Sequence, residues 1–238
     1  GIIPFFIDSF GVTTGWTRIA KMVGADYTLT MINPPIRAGY GERVFLSVNK
    51  SILSECDAIC WGPLAGNCPA AKEVEAHLHS FSASPHSIKR IDSDTYTLFP
   101  LPNTFDVYFK SLSKSTRGHF RRNYKRRLAG EYDVDFSVAQ DCALSFSEFL
   151  EMHEMQWKKS NKLGHFGDWP RANAFHLYLF HSTFSFYLLL LYCLRVNGEA
   201  IVYRYVYRFG NKYHSFLPAR VNTPQWNKLG LGQITQIL

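Results

Sequence analysis

One stretch of this chain leaves little freedom in how it folds. Phe186 to Val196 is apolar, Asn197-Gly198 follows, and Glu199 to Phe209 returns with alternating side chains. Asn-Gly accepts positive φ at both central turn positions, so strands joined by it close into a tight antiparallel hairpin. On the returning strand the two-residue period puts Ile201, Tyr203, Tyr205, Tyr207 and Phe209 on one face, and Val202, Arg204, Val206 and Arg208 on the other. Gly210-Asn211 turns the chain again into Tyr213 to Ala219. A three-strand antiparallel meander is the expectation. After a polar loop, Asn227-Lys228-Leu229-Gly230-Leu231-Gly232-Gln233 leads into the start of a helix. That helix breaks off in mid-pattern at Leu238, which is read as a last domain left incomplete.

Upstream, the spacing predicts a basic helix within 111–130, with Phe120, Tyr124 and Leu128 stacked four apart and Ala129-Gly130 ending it. Tyr132 to Val138 alternates as a strand. A helix from about Ser145 carries Phe146, Phe149, Leu150, His153 and Trp157 on its inner stripe, and Asn173 to Phe184 is a third helix. The first hundred residues hold short apolar pieces, Ile2–Ile7, Tyr27–Ile32, Val44–Val48 and Ala58–Trp61, for which strand and helix both stay open. Lys72–Phe81 reads as a helix and Thr95–Leu101 as a strand.

Hydrophobic residues at 46% and charged ones at 19% place the chain among globular proteins. Its most apolar stretch, Phe184 to Leu194, is far shorter than the roughly 20 residues a membrane helix needs. Gly1 to Phe10 has neither the basic start nor the cleavage site of a signal peptide. The five cysteines have no framework spacing, which favours reduced thiols and a cytoplasmic home over disulfides or a metal site. The net charge is +7, and seven cations without an acid lie between Ser111 and Leu128, leaving 19 basic against 19 acidic residues elsewhere. The excess is local, so it marks a solvated helix face or a contact with a polyanion.

Gly230-x-Gly232 between a strand and a helix suits a diphosphate cradle, because glycines let main-chain N–H groups approach an anion. It is no dinucleotide fingerprint: Thr235 stands where the third glycine belongs, and a meander precedes it. Nor is it a P-loop, since no Gly-Lys-Ser/Thr follows. No Gly-x-Ser-x-Gly elbow or His-Glu-x-x-His helix occurs.

The order of basic helix, strand, two helices, meander and glycine loop resembles the GNAT fold. It looks most like the acetyltransferases associated with cellulose and exopolysaccharide genes, kin to Fem-type peptidyltransferases. Ser113 to Leu128 is similar to that family's Arg-rich helix, and Leu150-x-x-His153-x-x-x-Trp157 to its next helix. Leu194 to Ala200 resembles its hairpin, and Leu217-Pro218-Ala219 its fourth strand. The likeness covers residues 105 to 238, and residues 1 to 104 resemble a degenerate first half only loosely. The expected architecture is an α/β protein of two tandem GNAT-like halves, each a mostly antiparallel sheet flanked by helices. Residues 1–110 would form the degenerate half, 111–130 the basic helix, and 131–238 the acyl-coenzyme A-binding half.

The resemblance implies an acyltransferase using acetyl-coenzyme A or another acyl-coenzyme A, with a small or saccharide-linked acceptor. Asn227, Lys228, Leu229, Gly230, Leu231, Gly232 and Gln233 would hold the diphosphate, and Phe216 and Leu217 would pair with the pantetheine amides. The family's loop usually opens with Arg or Gln where Asn227 stands here. Candidates for the proton acceptor are His153, Glu154 and His214, with Tyr203 or Tyr205 as proton donor to the leaving thiolate. His153 and the tyrosines also read as core packing. Arg121, Arg122 and Trp157 are candidates for acceptor binding. Two rivals remain: a Fem-type aminoacyltransferase that draws on charged tRNA, and a non-enzymatic protein whose basic helix docks on nucleic acid or an anionic surface.

Overall fold

The computed structural model describes residues 3–13, 15–22, 36–37, 39–66, 68–80, 89, 97–139, 142–162, 164–168, 171–181 and 189–238. The chain divides into two units, Gly1–Leu98 and Phe99–Leu238. In the first, β1 (Phe5–Val12) and β2 (Gly15–Met22) form an antiparallel hairpin that pairs Phe5 with Met22 and Val12 with Gly15. β3 (Ala58–Cys60) runs parallel beside β2. Helices α1 (Gly41–Ile52) and α2 (Pro69–Ser80) complete the unit. α1 buries Gly41, Phe45 and Asn49 at four-residue spacing, the stripe of an amphipathic helix. Trp61 meets Phe45 edge-on at 4.6 Å and donates its indole N–H to Asn49 Oδ1.

Ile2–Ile7 and Ala58–Trp61 therefore overlap strands, Val44–Val48 lies inside α1, and Tyr27–Ile32 falls outside the described residues. The helix expected at Lys72–Phe81 is α2. It starts earlier because Pro69, with fixed φ and no N–H, suits a first helical turn. The strand expected at Thr95–Leu101 is absent from its described part, residues 97–101. Pro100 there has no N–H to donate to a ladder.

The second unit is built on an antiparallel sheet, ordered β4 (Val134–Val138), β5 (Leu189–Val196), β6 (Glu199–Phe209) and β7 (Lys212–Arg220). The meander is as expected, with Asn197 at φ 50° and Gly198 at φ 83° in its first turn. Two bulges interrupt the register. Leu194 pairs with Val202 but Arg195 with Ala200, leaving Ile201 unopposed; Tyr205 pairs with Leu217 but Val206 with Ser215, leaving Phe216 unopposed. An extra residue breaks the alternation of side chains. Ile201 therefore leaves the tyrosine face and packs beside Val202, Leu194 and Val196, correcting the strict period-two assignment.

Both faces of the sheet are covered. On the tyrosine side lie α6 (Cys142–Lys158), α7 (His165–Asp168) and α8 (Ala172–His181). Phe146 and Phe149 are fully buried there against Tyr203 and Tyr205. α6 begins before Ser145, and the end of the third expected helix, 182–184, lies outside the described residues. On the other side lie α3 (Phe105–Ser111), α4 (Lys114–Phe120), a π-helical stretch Arg121–Leu128, α5 (Ala129–Glu131) and, after the four-residue α9 (Pro224–Asn227), α10 (Leu231–Ile237). Phe120, Leu128, Leu231 and Ile234 fill that core, each contributing about 1.5–3 kcal/mol by leaving water.

The basic helix departs from expectation at both ends. Ser113 caps it by accepting the Thr116 N–H at 3.1 Å, so it starts at Lys114, later than the expected 111. Gly130 lies inside the last α-turn, and the helix ends at Tyr132, whose extended backbone leads into β4. No left-handed cap is needed where the next residue already enters a strand. The architecture is mixed α/β, with sheets of three and four strands flanked by helices. Among the described residues no helix is long and apolar enough to cross a membrane.

Candidate functional site

Beyond β7 the chain turns through Lys228, Leu229 and Gly230 into α10. Gly230 has φ 66° and ψ 45°, and a Cβ there would lie 2.8 Å from His119 Cε1. Conformation and space both demand glycine. At Gly232 a Cβ would meet nothing within 4 Å. Leu229 and Leu231 point into the core and anchor the loop from below.

The main-chain donors of this segment divide into two groups. Asn227 N–H bonds to the Thr223 carbonyl, Lys228 and Leu229 N–H to that of Trp226, and Gln233 N–H to that of Gly230. The amides of Gly230, Leu231 and Gly232 have no hydrogen-bond partner among the described residues. The expected cradle from Asn227 to Gln233 thus narrows to three consecutive donors, because local turns consume the others. Successive unpaired N–H groups with aligned dipoles make an anion-accepting concavity.

Arg204 holds this loop against the sheet. Its Nε donates to Thr235 Oγ1 at 2.8 Å, Nη1 to Ser215 Oγ at 3.1 Å, and Nη2 to the Gly232 carbonyl. Burial draws the guanidinium below its ordinary pKa. An arginine starts so high that it keeps its proton nonetheless.

β7 is the neighbouring edge. Among the described residues no strand pairs with its outer side. α6 covers the far end: Arg220 N–H donates to Gln156 Oε1 at 3.1 Å, and His153 Nδ1 lies 3.4 Å from the Pro218 carbonyl. Upstream of Pro218 the edge carries the bulge at Phe216. An unpaired edge is a template for an extended chain of amides.

The residues expected to transfer protons sit in different surroundings. His153 is buried among Phe149, Trp157 and Phe166, and its Nε2 has no partner. Burial lowers its pKa, against smaller opposite pulls from Pro218 and Glu154. Glu154 points outward to Lys158 at 3.5 Å. His214 is exposed on β7 opposite Tyr207. Tyr203 donates to Glu148, and burial followed by that bond raises its pKa. Among the acceptor-binding candidates, Arg121 lies over the Phe109 ring at 5.5 Å, and Arg122 is exposed. Trp157 stacks near Gly164, where a Cβ would lie 2.8 Å from its ring.

Three features escaped the sequence reading. One is the Arg204 clamp, signalled only by an arginine between Val202 and Val206. Another is His119, four residues before its partner Asn123, with His119 Nε2 2.8 Å from Asn123 Nδ2. The third is a polar chain inside the tyrosine-side core. His176 Nδ1 lies 3.0 Å from the Tyr205 hydroxyl and 3.5 Å from that of Tyr207, while its Nε2 lies 3.2 Å from His165 Nε2. Burial, helped by His165, holds His176 down to about 3, and burial lifts Tyr207 to about 12 and Tyr205 higher still. His176, Tyr205 and Tyr207 are therefore neutral at pH 7. No local spacing links residues 165, 176, 205 and 207.

Fold and loop together describe a mixed α/β domain with an open, bulged edge strand that runs into an anion-accepting turn. The family model of the acetyltransferase (GNAT) domain matches residues 114–237, just over half the chain, and the chain belongs to that family. Acyl transfer is accordingly its class of chemistry. No curated protein and no solved structure matches the chain.

Proposed function

We propose that this chain transfers an acyl group, acetyl in the first instance, from acyl-coenzyme A to an amine or hydroxyl of a small or saccharide-linked acceptor. The observation that carries this reading is the row of unpartnered amides at Gly230, Leu231 and Gly232, open above Gly232 and next to the free edge of β7. Those amides fit a diphosphate, with Asn227, Lys228, Leu229 and Gln233 shaping the turn around them. Phe216 and Leu217, at the bulge, fit the pantetheine amides. When bound, the thioester supplies an activated acyl carbon, and the chain orients an acceptor toward it and takes up the acceptor's proton.

An amine of pKa about 10 is roughly one part in a thousand neutral at pH 7, so a proton acceptor accelerates attack. Of the candidate proton acceptors, His214 is exposed on β7 and open to an acceptor, whereas His153 lies in the core and Glu154 on the outer side of α6; Tyr205 or Tyr203, both neutral phenols, would give a proton to the departing coenzyme A thiolate. Arg121, Arg122 and Trp157 serve the acceptor. The resemblance of 113–128, 150–157, 194–200 and 217–219 supports the cellulose- and exopolysaccharide-associated type with Fem-type kin. In this reading 1–110 is a degenerate GNAT-like half, 111–130 the basic helix and 131–238 the acyl-coenzyme A half, in a cytoplasmic protein.

Calorimetric titration with acetyl-coenzyme A tests the site. Gly232→Val is the discriminating variant: a Cβ there meets nothing within 4 Å in the fold, so the added bulk stands where the ligand would lie. Binding should weaken at least about tenfold, the loss of one or two hydrogen bonds to a charged group, with the melting temperature retained. Unchanged affinity in Gly232→Val would remove the loop from the mechanism.

A further inference from the structure

We infer that a second anion site lies between α3 and the basic helix, and that it takes a small phosphate-bearing molecule, a phosphomonoester or diphosphate. The fold shapes a half-open cavity of about 450 Å³ there, lined by Asp106, Phe109, Lys110, Arg117, Arg121 and Lys125. Its location follows from spacing: Arg117, Arg121 and Lys125 recur every fourth residue, so they share one face of the helix, and α3 supplies Lys110 opposite them. Four cations face a single carboxylate.

Two of these arginines are held in place. Arg117 donates through Nη1 to the carbonyls of Lys110 and Leu112, which joins the end of α3 to the start of α4. The Arg121 guanidinium carbon sits 5.5 Å from the centre of the Phe109 ring, which is itself buried. A guanidinium held against an aromatic ring still has N–H donors left for an oxyanion. Lys110, Arg121 and Lys125 take part in no ion pair among the described residues. A concave surface with uncompensated charge concentrates the field on whatever enters it. A salt-bridged structural helix would have neutralised these groups.

The form of the site selects the ligand. Phe120 is buried and Tyr124 packs against it at 4.9 Å, so the aromatic rings of this helix are turned inward and offer no stacking platform for bases. What remains is a half-open, cationic pocket with room for one or two phosphate groups. It shares no lining residue with the Gly230–Gly232 amides, and the inference needs no thioester.

The test titrates the full chain with inorganic pyrophosphate and with a nucleoside diphosphate, and compares Lys110→Gln/Lys125→Gln. Both lysines are exposed, so the variant should fold, and circular dichroism checks that it does. The wild-type chain should bind, and the double variant should bind about tenfold or more weakly, as expected when charge-assisted hydrogen bonds are lost. Equal affinity in the two proteins would assign the phosphate to another site and overturn the inference. So would absence of binding at millimolar probe. A third arm adds a single-stranded RNA and a tRNA: if these bind more tightly than the diphosphates and lose affinity in the same variant, the face is a nucleic-acid surface and the small-molecule assignment fails.

Discussion

Replacing Arg204 by Met should cost more stability than any other single change on the second face of the sheet short of emptying its core. Methionine keeps the apolar stem and removes three donors. Ser215, being exposed, regains water, and Thr235 Oγ1 keeps its own bond to the Leu231 carbonyl at 3.0 Å. The real losses are the bonds to Thr235 and to the Gly232 carbonyl, both partly buried. At about 1.5–3 kcal/mol for a hydrogen bond to a charged group, two amount to about 3–6 kcal/mol. Releasing the buried guanidinium from its desolvation offsets part of that, and about 2–3 kcal/mol should remain. For a unit of this size the melting temperature would fall by roughly 5–10 °C. Urea denaturation of wild type, Arg204→Met and Arg204→Lys measures it, with Lys intermediate because an ammonium cannot span three acceptors in one plane. Acetyl-coenzyme A affinity should fall in the same order, since the loop amides lose their support. An Arg204→Met protein melting within about 1 °C of wild type would refute the clamp.

The buried histidine chain makes stability fall in mild acid. His176 titrates near 3 in the folded protein against 6.5 for the free side chain. Between those values the unfolded chain carries the extra proton, so stability declines as pH falls, by at most about 1.4 kcal/mol per pH unit. His153, shifted the same way, steepens the upper part of the window. Denaturation at pH 7 and pH 5 should show this slope, and His176→Gln should flatten it; an identical slope would mean that His176 is already charged. Gly230→Ala should cost about 1–3 kcal/mol through the left-handed backbone plus contact with His119. Adding His119→Ala should recover only the contact share, which a two-variant cycle separates.

Legibility of the chain tracks how local the cause was. The Asn197-Gly198 hairpin and the stripe Phe146–Phe149–His153–Trp157 depend on neighbours a few residues apart, and both are where the spacing put them. The two bulges were invisible, because the partner strand decides which residue is left unopposed, and one of them moved Ile201 to the other face. The glycine loop was legible as a place but not as a set of donors. Which amides stay unpaired depends on turns that captured Asn227, Lys228, Leu229 and Gln233. The proton-transfer candidates were chosen by residue type, and only the fold shows that His153 is buried while His214 is exposed.

Taken alone, the sequence determined that a meander exists, that it runs into a glycine-bearing turn, and that positive charge gathers on one helix. These are consequences of period, turn chemistry and local charge, which act over a few residues. Only the tertiary structure decided that Arg204 reaches Gly232 and Thr235, that His119 closes over Gly230, and that His165, His176, Tyr205 and Tyr207 meet in one core. Those contacts join segments far apart in the chain, and they form because packing the two faces of one sheet brings the segments together.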